Sequence, residues 1–375
     1  MSRQMQNTVA IKLKDMPEII RENVKAKLTV NFVSSPGIGK TSLVYQTCEA
    51  DAKAAGLNFV YQPTKEQWED PKNYCLSVIV LSQVDELDVK GLPNIVENNG
   101  DKYTSFTLTD MFPKVGRGVI FFDEAANANQ QVMTAMQPII NERIAGNVRI
   151  SDDIIFVLAS NKLTDNSNVK PLPSAMKNRM STYEVALNDA EEQIKAMAGI
   201  GRAYDPKVVA FLLTFQSMLY TFDPSKTSMN GYASPRAWEN VSKLISGSDD
   251  LRKIQRVVGG WCGQDVGDKM YSFIKLAASV DINDLMNHPE KISMHEDDIG
   301  KLYSICITLV DKSLKSKENA NKVFRVMDAM SRDEFGLYIF NSMLGEMGKN
   351  KLLALARADP KNSKLLIRYS QLFSE

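Results

Sequence analysis

The run Ser34-Ser35-Pro36-Gly37-Ile38-Gly39-Lys40-Thr41-Ser42 places two glycines just before a lysine and two hydroxyls. Without a Cβ at Gly37 and Gly39, backbone N–H groups can converge on an anion. Lys40 is placed to reach the β- and γ-phosphates of a nucleoside triphosphate, and the Thr41 hydroxyl to hold Mg²⁺. The run departs from the general G-x-x-x-x-G-K-[ST] pattern at its first position, where Ser34 stands. Further along, Asp123 and Glu124 follow the apolar run Val119-Ile120-Phe121-Phe122. The first carboxylate can organise the Mg²⁺ hydration shell, and the second can polarise an attacking water. A phosphate cradle and a carboxylate pair in one chain imply nucleoside triphosphate hydrolysis.

Such residues need rigid elements to hold them. Leu28–Val33 is an apolar, alternating stretch that predicts a buried strand feeding the loop. Leu43, Val44 and Cys48 predict a helix from Lys40 to about Ala55, its positive dipole end turned to the phosphates. Leu76–Leu81, Val119–Phe122 and Asp153–Ala159 lack polar alternation, as befits strands covered on both faces. Short strands are expected near Val9–Leu13, Asn58–Gln62 and Thr182–Leu187, with Pro63–Tyr74 a loop. Helices are expected from Pro17 towards Ala26, capped by Asp15, and over Pro171–Arg179. Another covers Val132 to Arg143, kinked by Pro138. This alternation predicts an α/β domain with a mainly parallel sheet.

Two stretches interrupt it. Asn98-Asn99-Gly100-Asp101 is turn chemistry, and Tyr103, Phe106 and Leu108 alternate after it, predicting an inserted hairpin with Lys102 and Tyr103 at its tip. Arg143–Asp153, with Gly146, predicts a second, smaller hairpin. From Asp189 onward the apolar spacing is helical throughout: Val208, Phe211, Leu212, Phe215 and Leu219 form one stripe. The expected division is an α/β core over 1–187 with an insertion at about 86–114, a helical lid over 188–285 and a helical extension over 286–375.

Composition narrows the classes. Lys plus Arg and Asp plus Glu are 45 each, so no net positive charge favours non-specific nucleic-acid binding. The 4 cysteines show no C-x-x-C spacing, which argues against a zinc site or disulfide framework and fits a reducing, cytoplasmic setting. Met1–Lys14 lacks the apolar core of a signal peptide, and no apolar run reaches membrane-spanning length. With only 2 histidines, in polar surroundings, histidine-based catalysis is not expected.

Taken together, these motifs resemble the AAA+ ATPases of the MoxR type, encoded by bacteria and bacteriophages. Pro36, Gly37, Ile38, Gly39, Lys40, Thr41 and Ser42 are similar to the family's ATP-binding loop. Asp123-Glu124-Ala125 looks like its Mg²⁺ and water-activating pair, and Asp88-Val89-Lys90-Gly91-Leu92-Pro93 resembles the opening of its insertion. Ala159-Ser160-Asn161 resembles the strand-end sensor, where Asn161 would orient water against the γ-phosphate. Leu172 to Met180 is similar to the helix carrying a trans-acting arginine, which assigns that role to Arg179, with Arg143 as its rival. Ser234-Pro235-Arg236-Ala237-Trp238 looks like the lid helix with a second sensor arginine, Arg236. A planar cation at either place would stabilise the charge that spreads over the γ-oxygens during transfer.

The similarity runs from about Pro17 to Gly247. It implies ATP and Mg²⁺ as cofactors and a homo-oligomer in the form of a hexameric ring. It also implies chaperone-like remodelling of a protein client, with a von Willebrand factor A domain protein as the client that kinship suggests. By the same resemblance the insertion faces the ring's central axis. Two other classes stay open: a nucleic-acid motor or loader, and a nucleotide-gated scaffold with negligible turnover. Charge neutrality weighs against the first, and intact Lys40, Asp123, Glu124 and Asn161 weigh against the second.

Overall fold

The computed structural model describes residues 8–107, 109–165, 169–197, 204–225, 231–277, 280–357 and 359–371. Leu108 and the first seven residues of the chain therefore lie outside the described residues. The strands are β1 (Val9–Lys12), β2 (Thr29–Ser34), β3 (Asn58–Tyr61), β4 (Asn73–Val80), β5 (Pro93–Asn98), β6 (Asp101–Phe106), β7 (Gly118–Asp123), β8 (Ile144–Ala145), β9 (Val148–Arg149), β10 (Ile154–Asn161) and β11 (Met180–Ala186).

A 7-stranded sheet runs in the order β1-β11-β2-β10-β7-β4-β3, and all of its pairings are parallel. The expected α/β domain with a mainly parallel sheet, followed by a helical region, is what the chain forms. The unbroken apolar runs explain the centre of the sheet. β7 and β10 are buried at every position but the last, whereas the edge strands β1 and β3 hold no buried residue. On one face, Phe122 and Phe156 meet with ring centroids 5.7 Å apart over Met133, Met136 and Ile139 of the helix Gln130–Glu142. Because the strands are parallel, β2, β7 and β10 deliver their C-terminal residues to the same edge.

Several local expectations are corrected. The loop expected over Pro63–Tyr74 contains a helix, Lys65–Glu69, and β4 already starts at Asn73. Thr64 and Gln67 form a reciprocal capping box there, and Trp68, only 3% exposed, pins the turn to the core. Asp15 precedes the helix Met16–Ala26 but does not cap it; its carboxylate accepts from Lys12 N at 2.9 Å. As expected, Pro138 lies inside a helix, Gln130–Glu142, which ends at a left-handed Arg143 (φ 61°).

Both hairpins form. In β5–β6 the turn is Asn99 (φ 53°) and Gly100 (φ 88°), the primed geometry that Asn-Gly favours. These two residues form the tip, and Lys102 lies one pair back, opposite Glu97. At the base, Leu92 and Thr107 hydrogen-bond, and a Cβ on Gly91 (φ 85°) would sit 1.9 Å from Thr107 O. That approach requires glycine.

The chain divides into two compact units at Asn188 and Asp189, with Asp223–Lys226 grouped with the first. The second unit is helical and holds two apolar cores. One gathers Phe211, Trp238 and Phe273, and the other Cys306, Phe324 and Phe335. All four cysteines are buried as thiols; burial pushes Cys48 and Cys262 up to about 12 and Cys75 up to about 11. Among the described residues, no helix is long and apolar enough to cross a membrane.

Candidate nucleotide site

β2 is buried along nearly its whole length and ends at Ser34, itself 0% exposed; the helix Lys40–Ala54 begins after the loop. Gly37 (φ 77°) and Gly39 (φ 104°) adopt backbone angles that side chains disfavour. Among the described residues, nothing outside the adjoining backbone lies within 4 Å of a Cβ built on Gly39, so its need for glycine is conformational. Lys40 opens the helix, is 8% exposed, and donates from Nζ to Ser34 Oγ. Ser34 Oγ donates in turn to Ser35 O at 2.8 Å.

The carboxylate pair meets this loop. Thr41 Oγ1 donates to Asp123 Oδ2 at 2.8 Å across 82 residues of sequence. A hydroxyl and a carboxylate brought together in this way are the hard oxygen donors that Mg²⁺ prefers, so the residues fit that ion. Glu124 is left-handed (φ 53°), a conformation that costs a non-glycine residue about 1–3 kcal/mol and clusters at functional sites. Its backbone N–H donates to Asp123 Oδ1 at 2.9 Å, and its Oε2 accepts from Ser82 Oγ. A cleft of about 580 Å³ adjoins Ser82 and is lined also by Asn127, Asn129, Val169 and Lys170, and not by the loop or the two carboxylates.

β10 lies between β2 and β7, so Asn161 emerges between the loop and the carboxylates, in register with Ser34. Lys40, Thr41, Asp123, Glu124 and Asn161 are thus brought to one strand edge. Two residues there were not picked out from the sequence. Ser82 follows β4, the neighbour of β7, and could have been found as a hydroxyl at an adjacent strand end. Asp165, 7% exposed, accepts from Ser35 Oγ at 3.3 Å and ties the segment after β10 to the loop. Nothing in its local sequence signals this, because the contact spans 130 residues.

The two rival arginines differ sharply. The Arg143 guanidinium donates to Ser151 O and Ile154 O, lies 3.3 Å from Asp152 and covers the Phe156 ring at 4.8 Å. It staples the small β8–β9 hairpin to β10 from within its own chain, and burial lowers its pKa below the usual arginine range. Arg179 is exposed just after the helix Ser174–Lys177, and among the described residues its side chain has no hydrogen bond or ion pair. Arg236 is exposed in the first turn of the helix Pro235–Ile245, in the second unit; Ser234 caps that helix by accepting from Ala237 N at 3.2 Å.

No protein-family model matches the sequence, and no curated protein matches it. Solved structures do. The chain is similar to NtrX from Brucella abortus in complex with ADP, at 12% identity and TM-score 0.38, covering 91% of this chain and 68% of that one. It is also similar to a mutant of RuvB from Thermotoga maritima, at 14% identity and TM-score 0.34, covering 80% of this chain and 82% of that one. A third is Hsp104 reconstructed with ATPγS and casein, at 14% identity and TM-score 0.32; this chain spans 42% of that protein's chain and is covered over 66% of its own length.

Proposed function

We propose that this chain is an Mg²⁺-dependent ATPase of the AAA+ class and MoxR type, which assembles into a ring and remodels a protein client. The observation that carries the reading is the convergence of Lys40, Thr41 and Asp123. The first residue of the helix is placed to bind phosphate, and the next one meets the carboxylate strand at 2.8 Å. In this reading Pro36 to Ser42 wrap the phosphates with backbone N–H groups, and Lys40 neutralises the outer ones. Thr41 and Asp123 hold Mg²⁺, which when bound supplies charge neutralisation at the phosphate oxygens. Glu124 accepts a proton from the attacking water, with Ser82 holding its second oxygen. Asn161 orients that water. Arg179 reaches into a neighbouring subunit's site, which its exposure and lack of partners favour over Arg143. Arg236 serves as the lid sensor.

Ring assembly follows from a site shared between subunits, because a ligand bound only by the assembled state stabilises it. Sedimentation with and without a slowly hydrolysed ATP analogue tests this. The expected result is a shift from small species to a closed oligomer, hexameric by the family resemblance, when the analogue is present. Monomers at micromolar concentration in both conditions would remove the ring from the proposal. Nucleic-acid stimulation of hydrolysis would favour the motor or loader reading, and nucleotide binding without turnover the scaffold.

The client surface is assigned to the β5–β6 hairpin. It exposes Ile95 (79%) and Tyr103 (49%), and among the described residues the Lys102 side chain makes only a 4.0 Å ion pair, to Glu97. Ile95 and Tyr103 lie on the two strands behind the Asn99-Gly100 turn, and with Val96 (36%) they leave apolar surface that a partner could cover. A Lys102→Ala/Tyr103→Ala variant should fold, assemble and hydrolyse ATP at close to the parent rate but lose action on its client, for which a von Willebrand factor A domain is the first candidate. A melting temperature lowered by more than about 5 °C, the scale of about 1 kcal/mol or more in a modest domain, would place these side chains in the folded core instead.

A further inference from the structure

We propose that Ser34 is a positioning residue for Lys40, and that through Lys40 it sets the affinity of the loop for nucleotide phosphates; this rests on the reading of the loop as an ATP site. Ser34 stands where the general phosphate-loop pattern has glycine. Glycine there would supply backbone only. Serine adds one oxygen, and the structure shows how that oxygen is used.

A hydroxyl has a single hydrogen. Ser34 commits it to Ser35 O at 2.8 Å, so towards Lys40 its oxygen acts purely as an acceptor. An ammonium only donates, so the pair has one possible polarity. Both groups are buried: Ser34 is 0% exposed and Lys40 8%. A buried ammonium needs acceptors, and a lysine side chain loses much rotamer freedom when it is fixed. The acceptor at residue 34 therefore draws one ammonium N–H to a defined place at the end of β2 and narrows the rotamers that Lys40 samples.

The neighbouring hydroxyl does not duplicate this role. Ser35 Oγ donates to Asp165 Oδ1 at 3.3 Å, so its hydrogen is engaged with the segment after β10. The two serines divide the work: one holds the lysine and the other holds the loop. Restricting Lys40 before phosphate binds lowers the ordering cost of binding. Positioning of this kind acts alike on bound substrate and transition state, so its loss falls on affinity and not on the chemical step.

The test uses the full chain and titrates Ser34→Ala, Ser34→Gly and Ser34→Thr with ATP and with ADP, alongside steady-state kinetics. Alanine and glycine should each raise Kd and KM about tenfold, equivalent to about 1.4 kcal/mol, with the loss absent from kcat. Glycine should be no better than alanine although it restores the general pattern, and threonine should recover most of the affinity. A second arm needs no nucleotide: melting temperatures of Ser34→Ala, Lys40→Met and the double variant. The effect of Ser34→Ala should largely vanish in the Lys40→Met background, because the pair is then already broken. A parent chain that binds neither nucleotide overturns the reading of the loop itself. A parent that binds, with the alanine and glycine variants binding equally well, overturns the role of Ser34 alone. An additive thermal cycle does the same.

Discussion

Lys40→Ala should abolish nucleotide binding, while Glu124→Gln should bind ATP like the parent and hydrolyse it about 10²–10⁴-fold more slowly, the range for loss of a general base. The difference follows from where each side chain sits. Lys40 is 8% exposed at the helix start, so in the proposed site its charge would meet the phosphates from a largely buried position. Each charge-assisted hydrogen bond it forms contributes about 1.5–3 kcal/mol, so losing two of them weakens binding by at least two orders of magnitude. Among the described residues Glu124 has no hydrogen bond to the loop; its side chain accepts from Ser82, just after the neighbouring strand, and its backbone bonds Asp123 and Asn127. Glutamine keeps its shape and its hydrogen bond from Ser82 but cannot take a proton. Equilibrium titration with a fluorescent ATP analogue and phosphate release under saturating ATP separate the two effects. Parent-like turnover by Glu124→Gln would remove Glu124 as the base.

Arg179→Ala should lower turnover by a factor on the order of 10³ with ATP binding preserved, as expected for a cation that acts on the transition state from a neighbouring subunit. Arg143→Ala should behave differently. Its guanidinium bridges Ser151, Ile154 and Asp152 over Phe156, so its loss should appear first as a lower melting temperature. The decisive form mixes two nearly inactive proteins. Arg179→Ala subunits keep Lys40, Asp123 and Glu124, and Lys40→Ala subunits keep Arg179. Where an intact pocket meets an intact arginine, part of the activity should return. No recovery in mixtures shown to co-assemble would mean that Arg179 acts within its own subunit or not at all.

The loop of the proposed site is a local pattern in the sequence, because phosphate binding would impose local requirements. Glycines with left-handed backbone, a lysine and a hydroxyl must be consecutive, so the pattern at Gly37 to Thr41 survives in one dimension. The uninterrupted apolar runs at Val119–Phe122 and Ile154–Ala159 likewise announced the sheet centre, since only strands covered on both faces tolerate them. Asn99-Gly100 predicted its turn for the same local reason. Tertiary structure decided what depends on distant partners. It brought Thr41 to Asp123 and Ser35 to Asp165, and it set Ser82 beside Glu124. It also separated two arginines that looked alike in sequence, by closing carbonyl oxygens around Arg143 while leaving Arg179 exposed. The hydroxyl of Ser34 looked like a mere departure from a pattern, because a hydrogen bond to a side chain 6 residues away has no signature until the loop is folded.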